Sequence, residues 1–132
     1  LLESLFHQGR LDFPQQELDR LLAIANTKPT VFVIHLDRPA VIPELTTASA
    51  GLLAEFGAND QAVLDVIYGE FNPAAKLPFE LPSSVEAVEN QKEDVPYDSK
   101  DPLFDFGHGL SYSQAEVSRE IYSLTHALKT KK

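Results

Sequence analysis

The run Val31-Phe32-Val33-Ile34-His35-Leu36 constrains the fold of this chain more than any other feature. It is a near-continuous series of β-formers without apolar–polar alternation, which predicts a strand buried on both faces, as in a parallel sheet. The residues before it, Pro14 to Asn26, read as a helix. Leu18, Leu21, Leu22 and Ala25 fall at i, i+3, i+4 and i+7, one apolar stripe at helical period. Asp12 is the expected N-cap, with Pro14 in the first turn. Lys28-Pro29 ends the helix, because the residue before proline avoids the α region. Asp37-Arg38-Pro39 closes the strand.

The same reading continues down the chain. Pro43 to Phe56 has two readings, a short helix followed by a strand through Leu52, Leu53 and Phe56, or one continuous helix; the split is preferred, since Gly51 interrupts the middle. Asn59 to Tyr68 is a second helix, capped by Asn59 or Asp60, with Val63, Val66 and Ile67 facing inward and Gly69 stopping it. Leu77 to Leu81 is expected as a short strand between Pro78 and Pro82. Pro82 to Asp105 reads as acidic and mostly irregular. Ser113 to Leu128 reads as an amphipathic helix, with Ser113 and Glu116 as a capping box, before a lysine-rich tail. Helices alternating with strands place the chain in the α/β class, a partial three-layer α/β/α sandwich with a mostly parallel sheet. Such sheets bind ligands at the carboxyl ends of their strands, so the loops after Leu36, Phe56 and Leu81 are where a site is expected.

Composition narrows the function. A chain of 132 residues with 43% hydrophobic residues is long and apolar enough for one domain with its own core. Its formal net charge of −9 repels phosphate backbones and anionic bilayers, so neither nucleic acid nor membrane is an expected partner. The absence of cysteine removes disulfides and thiolate metal sites and leaves the compartment open. Leu1-Leu2-Glu3 has no basic flank, so no signal peptide is expected there. A chain that has no methionine and does not begin with one reads as a piece of a longer product.

Motifs for cofactors are missing. No glycine-rich turn follows Leu36, which excludes a Rossmann dinucleotide site, and there is no P-loop. His7, His35, His108 and His126 share no ligand spacing, so no metal is expected. His35 reads as a hydrogen-bonded core histidine, and Asp37-Arg38 as a structural ion pair that fixes its loop. Glu86, Glu89, Glu93, Asp94 and Asp98 read as a solvated acidic face. No carboxylate pair has a spacing that marks it as an acid/base dyad.

Three segments carry a resemblance. "KPTVFVIHLDRPAVIPEL", "NDQAVLDVIYGEFNPAAKLPFELPSS" and "KEDVPYDSKDPLFDFGHGLSY" together resemble the C-terminal α/β-sandwich domain of glycoside hydrolase family 3, the family of β-glucosidases and β-xylosidases. The similarity runs from about Phe6 to Tyr112. Tyr68-Gly69, Asn72-Pro73, Lys76-Leu77-Pro78 and Phe106-Gly107-His108-Gly109-Leu110-Ser111-Tyr112 occur in the family's order. The resemblance implies residues 1–112 as an N-terminally incomplete domain and 113–132 as a helical tail. It also implies a retaining hydrolase that needs no cofactor, with a β-glucoside or related oligosaccharide as substrate. In that family a (β/α)8-barrel carries the aspartate nucleophile, and the sandwich contributes in many members a glutamate acid/base.

Here the resemblance points to Glu3 as the general acid/base, and to His7, Gln8 and Arg10 as residues lining the sugar pocket. The chain departs from the family where Ala74-Ala75 replace a serine-glycine pair before Lys76, and where the aspartate expected next to Arg10 is out of place. Phe104, Phe106, Leu110 and Tyr112 are expected to anchor the last segment onto the core, with Gly107 and Gly109 freeing the backbone to turn. The isolated chain is expected to be inactive for want of a nucleophile, and to self-associate through uncovered strand edges. A non-catalytic module docking on a separate barrel subunit, and a small ligand-binding domain unrelated to sugars, are the alternative readings.

Overall fold

The computed structural model describes residues 9–92 and 94–112. They fall into two compact units, residues 9–56 with 77–107, and residues 57–76 with 108–112. The expected helix over Ser113–Leu128 lies outside the described residues.

The first unit begins with helix α1, Gln15–Ala25. The Pro14 carbonyl accepts the Glu17 and Leu18 amides at 2.9 and 3.0 Å, and no side chain caps the helix. Asp12 is therefore not the cap expected of it: it lies two residues before the cap position, Pro14, and its carboxylate is taken by Arg10. The predicted stripe behaves as its period requires, with Leu18, Leu21 and Leu22 packed on the core.

Strand β1, Val31–His35, pairs in parallel with β2, Gly51–Glu55, in the register Val31↔Gly51 through His35↔Glu55. Helix α2, Pro43–Ala48, makes the crossover, so Gly51 does divide this segment into helix and strand. Helices and a parallel sheet confirm the α/β class. Burial on both faces of β1 is not found. Side chains alternate across a strand, and Phe32 and Ile34 enter the core while Val31 and Val33 stay exposed. An all-apolar run fixes the strand but not whether its second face is covered.

The core is Leu36, Ile42, Leu45 and Leu81, with Phe13, Leu103 and Phe104 among the partly buried side chains packed against it. Leu36 lies just past β1, and Ile42 and Leu45 bracket the start of α2, so the crossover itself closes the core. Leu81 arrives from the segment expected to be a strand. It makes only an isolated antiparallel bridge, giving its amide to the Phe104 carbonyl at 2.9 Å and accepting Leu103 at 2.8 Å. Pro78 and Pro82 supply no N–H, so a ladder has no donors on either side.

The segment expected to be irregular contains one more helix, α3, Val85–Glu89, whose first turn is capped by Ser84 Oγ accepting the Ala87 amide at 3.0 Å. Phe104 packs on the core as expected, but Phe106 is more than half exposed and is no anchor. Gly107 turns at φ 79°, a value that costs glycine nothing.

The second unit is built on helix α4, Asp60–Ile67. Asn59 caps it through the Ala62 amide at 2.9 Å, and Gly69 at φ 76° ends it. Val63, Val66 and Ile67 are half-buried, as the helical period predicts, while Leu64 and Tyr68 are exposed. The family-like motifs meet here. Asn72 holds Tyr112 by two bonds, Nδ2 to its carbonyl at 3.1 Å and Oδ1 from its amide at 2.8 Å. Ser111 Oγ donates to the Pro73 carbonyl at 2.7 Å, Lys76 Nζ to the Gly109 carbonyl, and the Tyr112 hydroxyl to the Val66 carbonyl at 2.6 Å. Tyr112 is thus an anchor. Leu110 is not, since it is largely exposed.

Gly109 serves close approach rather than a turn. A Cβ there would stand 2.6 Å from the Ala75 carbonyl oxygen and 2.9 Å from Lys76 Cδ. Gly109→Ala is expected to destabilise the chain by about 1–3 kcal/mol, the cost of overpacking against backbone. A urea midpoint equal to that of the unmodified chain would contradict so close an approach.

Candidate functional site

Parallel strands leave a hollow where their chains part at the carboxyl ends. Past the end of β1 lies a cleft of about 180 Å³, walled by residues 10–14 and 34–40. It lies in the first of the three loops where a site was expected. Arg10, Asp12, His35, Asp37 and Arg38 are its charged and titratable walls.

Arg10 forks onto Asp12, with Nε to Oδ1 at 2.7 Å and Nη2 to Oδ2 at 2.5 Å. The Arg10 side chain is 79% exposed and that of Asp12 23%, so the carboxylate is the sheltered partner. The guanidinium holds the Asp12 carboxyl below its ordinary range, chiefly through the two hydrogen bonds. A general acid needs the opposite, a pKa raised toward the working pH. Asp12 is therefore a fixed anion that orients Arg10, and not a proton donor.

Arg38 is half-buried and gives Nη2 to the Arg10 carbonyl at 3.2 Å. Among the described residues it forms no ion pair with Asp37, contrary to expectation. It fixes the loop through backbone instead, tying the residue 10 segment to the end of β1. His35 is not a core residue either. Its side chain is 62% exposed, and Nδ1 lies 2.6 Å from Glu55 Oε1. Parallel register puts these two last residues of β1 and β2 side by side. That pair escapes a reading of the sequence, because the partner of His35 is set by a register that one sequence does not state.

Of the expected site residues, Arg10 stands in the cleft wall, while Glu3, His7 and Gln8 lie outside the described residues. Among the described residues no group of three His, Cys, Asp or Glu side chains is placed to hold a metal ion. No helix among them is long and apolar enough to cross a membrane.

Comparison with known proteins decides the family. The family described as "Glycosyl hydrolase family 3 C-terminal domain" matches residues 6–112. The chain belongs to this family. It is 50% identical over 111 residues to the probable beta-glucosidase C of Aspergillus flavus, an alignment covering 84% of this chain and 18% of that protein. Identity to beta-glucosidase C of Emericella nidulans is 47% over 110 residues, 83% of this chain and 18% of the relative. The periplasmic beta-glucosidase/beta-xylosidase of Dickeya chrysanthemi is 40% identical over 111 residues, 83% of this chain and 17% of the relative. The chain thus spans less than a fifth of the length of these curated relatives. Among the family-like motifs, Asn72-Pro73, Lys76 and Gly109-Leu110-Ser111-Tyr112 are the ones bonded to each other in the second unit.

Proposed function

We propose that this chain serves as the C-terminal α/β domain of a retaining β-glucosidase-type glycoside hydrolase, acting on terminal β-glycosidic bonds of a β-glucoside or related oligosaccharide. The observation that carries the reading is the family match over residues 6–112 together with relatives named beta-glucosidase. The domain runs to Tyr112.

Retaining hydrolysis needs two carboxyl groups about 5–5.5 Å apart, one attacking the anomeric carbon and one protonating the leaving oxygen. A (β/α)8-barrel partner supplies the nucleophile. Glu3 supplies the acid/base, and its segment leads directly into Arg10 at the cleft. The Arg10–Asp12 fork and the Arg38 bond to the Arg10 carbonyl hold the start of the described segment against the end of β1. Such bracing is what a loop needs if it is to present a catalytic carboxylate and the sugar-lining His7, Gln8 and Arg10 at fixed positions. The separate chain self-associates through apolar positions left in solvent, such as Val31 and Val33.

The test has two arms. The purified chain releases no nitrophenol from an aryl β-glucoside above a Glu3→Ala control, since one carboxylate cannot run a two-carboxylate mechanism. Residues 1–112, grafted in place of the aligned segment of the Emericella nidulans beta-glucosidase C, support hydrolysis of the same substrate. Release by the chain alone, or a folded graft with no activity, would overturn the reading.

A further inference from the structure

The first unit carries an aromatic pair that the proposed reaction does not use. The rings of Tyr97 and Phe106 stand 4.5 Å apart between centroids and are tilted by 34°. Each shields part of the other, yet Tyr97 is 55% and Phe106 52% exposed. Two large aromatics held together in solvent are an unfavourable arrangement unless something covers them.

The backbone shows that the arrangement is imposed. Tyr97 sits at φ 58° and Asp101 at φ 52°, the only non-glycine residues among those described with positive φ. For a bulky aromatic that region is strained, and the surrounding bonds must hold it. They do so on both sides. Asp98 Oδ2 accepts the Lys92 amide at 3.1 Å, Ser99 gives its amide to Glu80 Oε2 at 3.2 Å, and Gln91 bonds the Ser99 hydroxyl. On the other side, Leu81 bridges Leu103 and Phe104, and Gly107, next after Phe106, gives its amide to the Leu77 carbonyl at 2.9 Å. These ties hold the segment that leaves both rings at the surface.

We propose that Tyr97 and Phe106 form a stacking platform for a pyranose ring of a neutral β-linked gluco-oligosaccharide. A β-glucopyranose offers its axial C–H groups on each face, which suits the negative face of an aromatic ring. Its equatorial hydroxyls project outward and need acceptors at the rim. Asp98 follows Tyr97 in the chain and Asp105 precedes Phe106, so both rings are carried on acidic stretches, and local negative charge disfavours an anionic ligand. The sugar class rests on the proposed function; the platform itself rests on the ring geometry, exposure and strained loop.

The test uses the full 132-residue chain and cellotetraose. Titration followed by the ring resonances of Tyr97 and Phe106 is expected to shift both. Tyr97→Gly removes the ring at a position whose φ glycine accepts freely, so the fold is kept and the urea midpoint does not fall. That variant is expected to bind about five- to tenfold more weakly, the size of one aromatic contact. Phe106→Leu, which keeps an apolar side chain but no π face, is expected to weaken binding similarly. Absence of tetraose binding, equal affinity in Tyr97→Gly, or ring shifts that follow protein concentration instead of sugar would each overturn the platform. The last result would assign the rings to a second copy of the chain. An active graft whose domain binds no tetraose would overturn the platform alone; tetraose binding with an inactive graft would overturn the proposed reaction alone.

Discussion

Replacing Leu45 by alanine should lower the unfolding free energy of the chain by about 2–5 kcal/mol, the range for a buried leucine that leaves a cavity. Leu45 is 1% exposed and lies among Leu36, Ile42 and Leu81. It stands on α2, the crossover between two parallel strands, so the void would open where helix, strand end and the Leu81 bridge converge. Domains of this size have about 5–15 kcal/mol in total, so the loss is a large share of what holds the chain folded. Leu110→Ala is the matched control. Leu110 is 78% exposed, and its removal should change stability by no more than about 0.5 kcal/mol. Urea titrations of the two variants beside the unmodified chain measure both. A loss below about 1 kcal/mol for Leu45→Ala would mean that the core does not close around it.

The second large effect belongs to chemistry. In the graft, Glu3→Gln should reduce kcat/KM for cellobiose by about 10²–10⁴, the usual contribution of a positioned acid/base. The expected loss depends on the leaving group. A sugar alkoxide cannot depart unprotonated, whereas nitrophenolate is a good leaving group without help, so bond cleavage in the aryl glucoside should suffer much less. A merely structural role for Glu3 would depress both substrates alike. Comparing the two substrates on one enzyme preparation separates these outcomes.

Local signals in the sequence carried most of the fold. Helical period located α1 and α4, the β-branched run located β1, and Gly51 correctly divided helix from strand. What escaped was whatever depends on partners distant in the chain. The outer face of β1 is exposed because nothing described covers it, and an unbroken apolar run looks the same in either case. Asp12 has a cap's residue type but its carboxylate binds Arg10, and His35 sits in an apolar run but lies beside Glu55 through the strand register. Ser84 caps Val85–Glu89, but a helix of five residues is too short to show an apolar period within so acidic a stretch. Leu110 and Phe106 are apolar yet exposed, so their side-chain type alone misplaces them in the core. The motifs shared with the family were the surest guide, and the second unit gives the physical reason. The side chains of Asn72, Lys76 and Ser111 bond the backbone of Tyr112, Gly109 and Pro73, so each motif supplies a side chain or a carbonyl that another one uses.

We propose above all that this domain brings one of two carboxylates to a retaining glycosidase. Azide rescue of the Glu3→Gln graft tests it most directly. Without its acid/base, the enzyme accumulates a glycosyl intermediate on the barrel nucleophile when the leaving group is good, because no base activates water. Azide needs no such activation. Added azide should therefore accelerate turnover of the aryl β-glucoside and yield β-glucosyl azide, with configuration retained over two displacements. Cellobiose hydrolysis that is unchanged in Glu3→Gln, with no acceleration and no glycosyl azide, would contradict it.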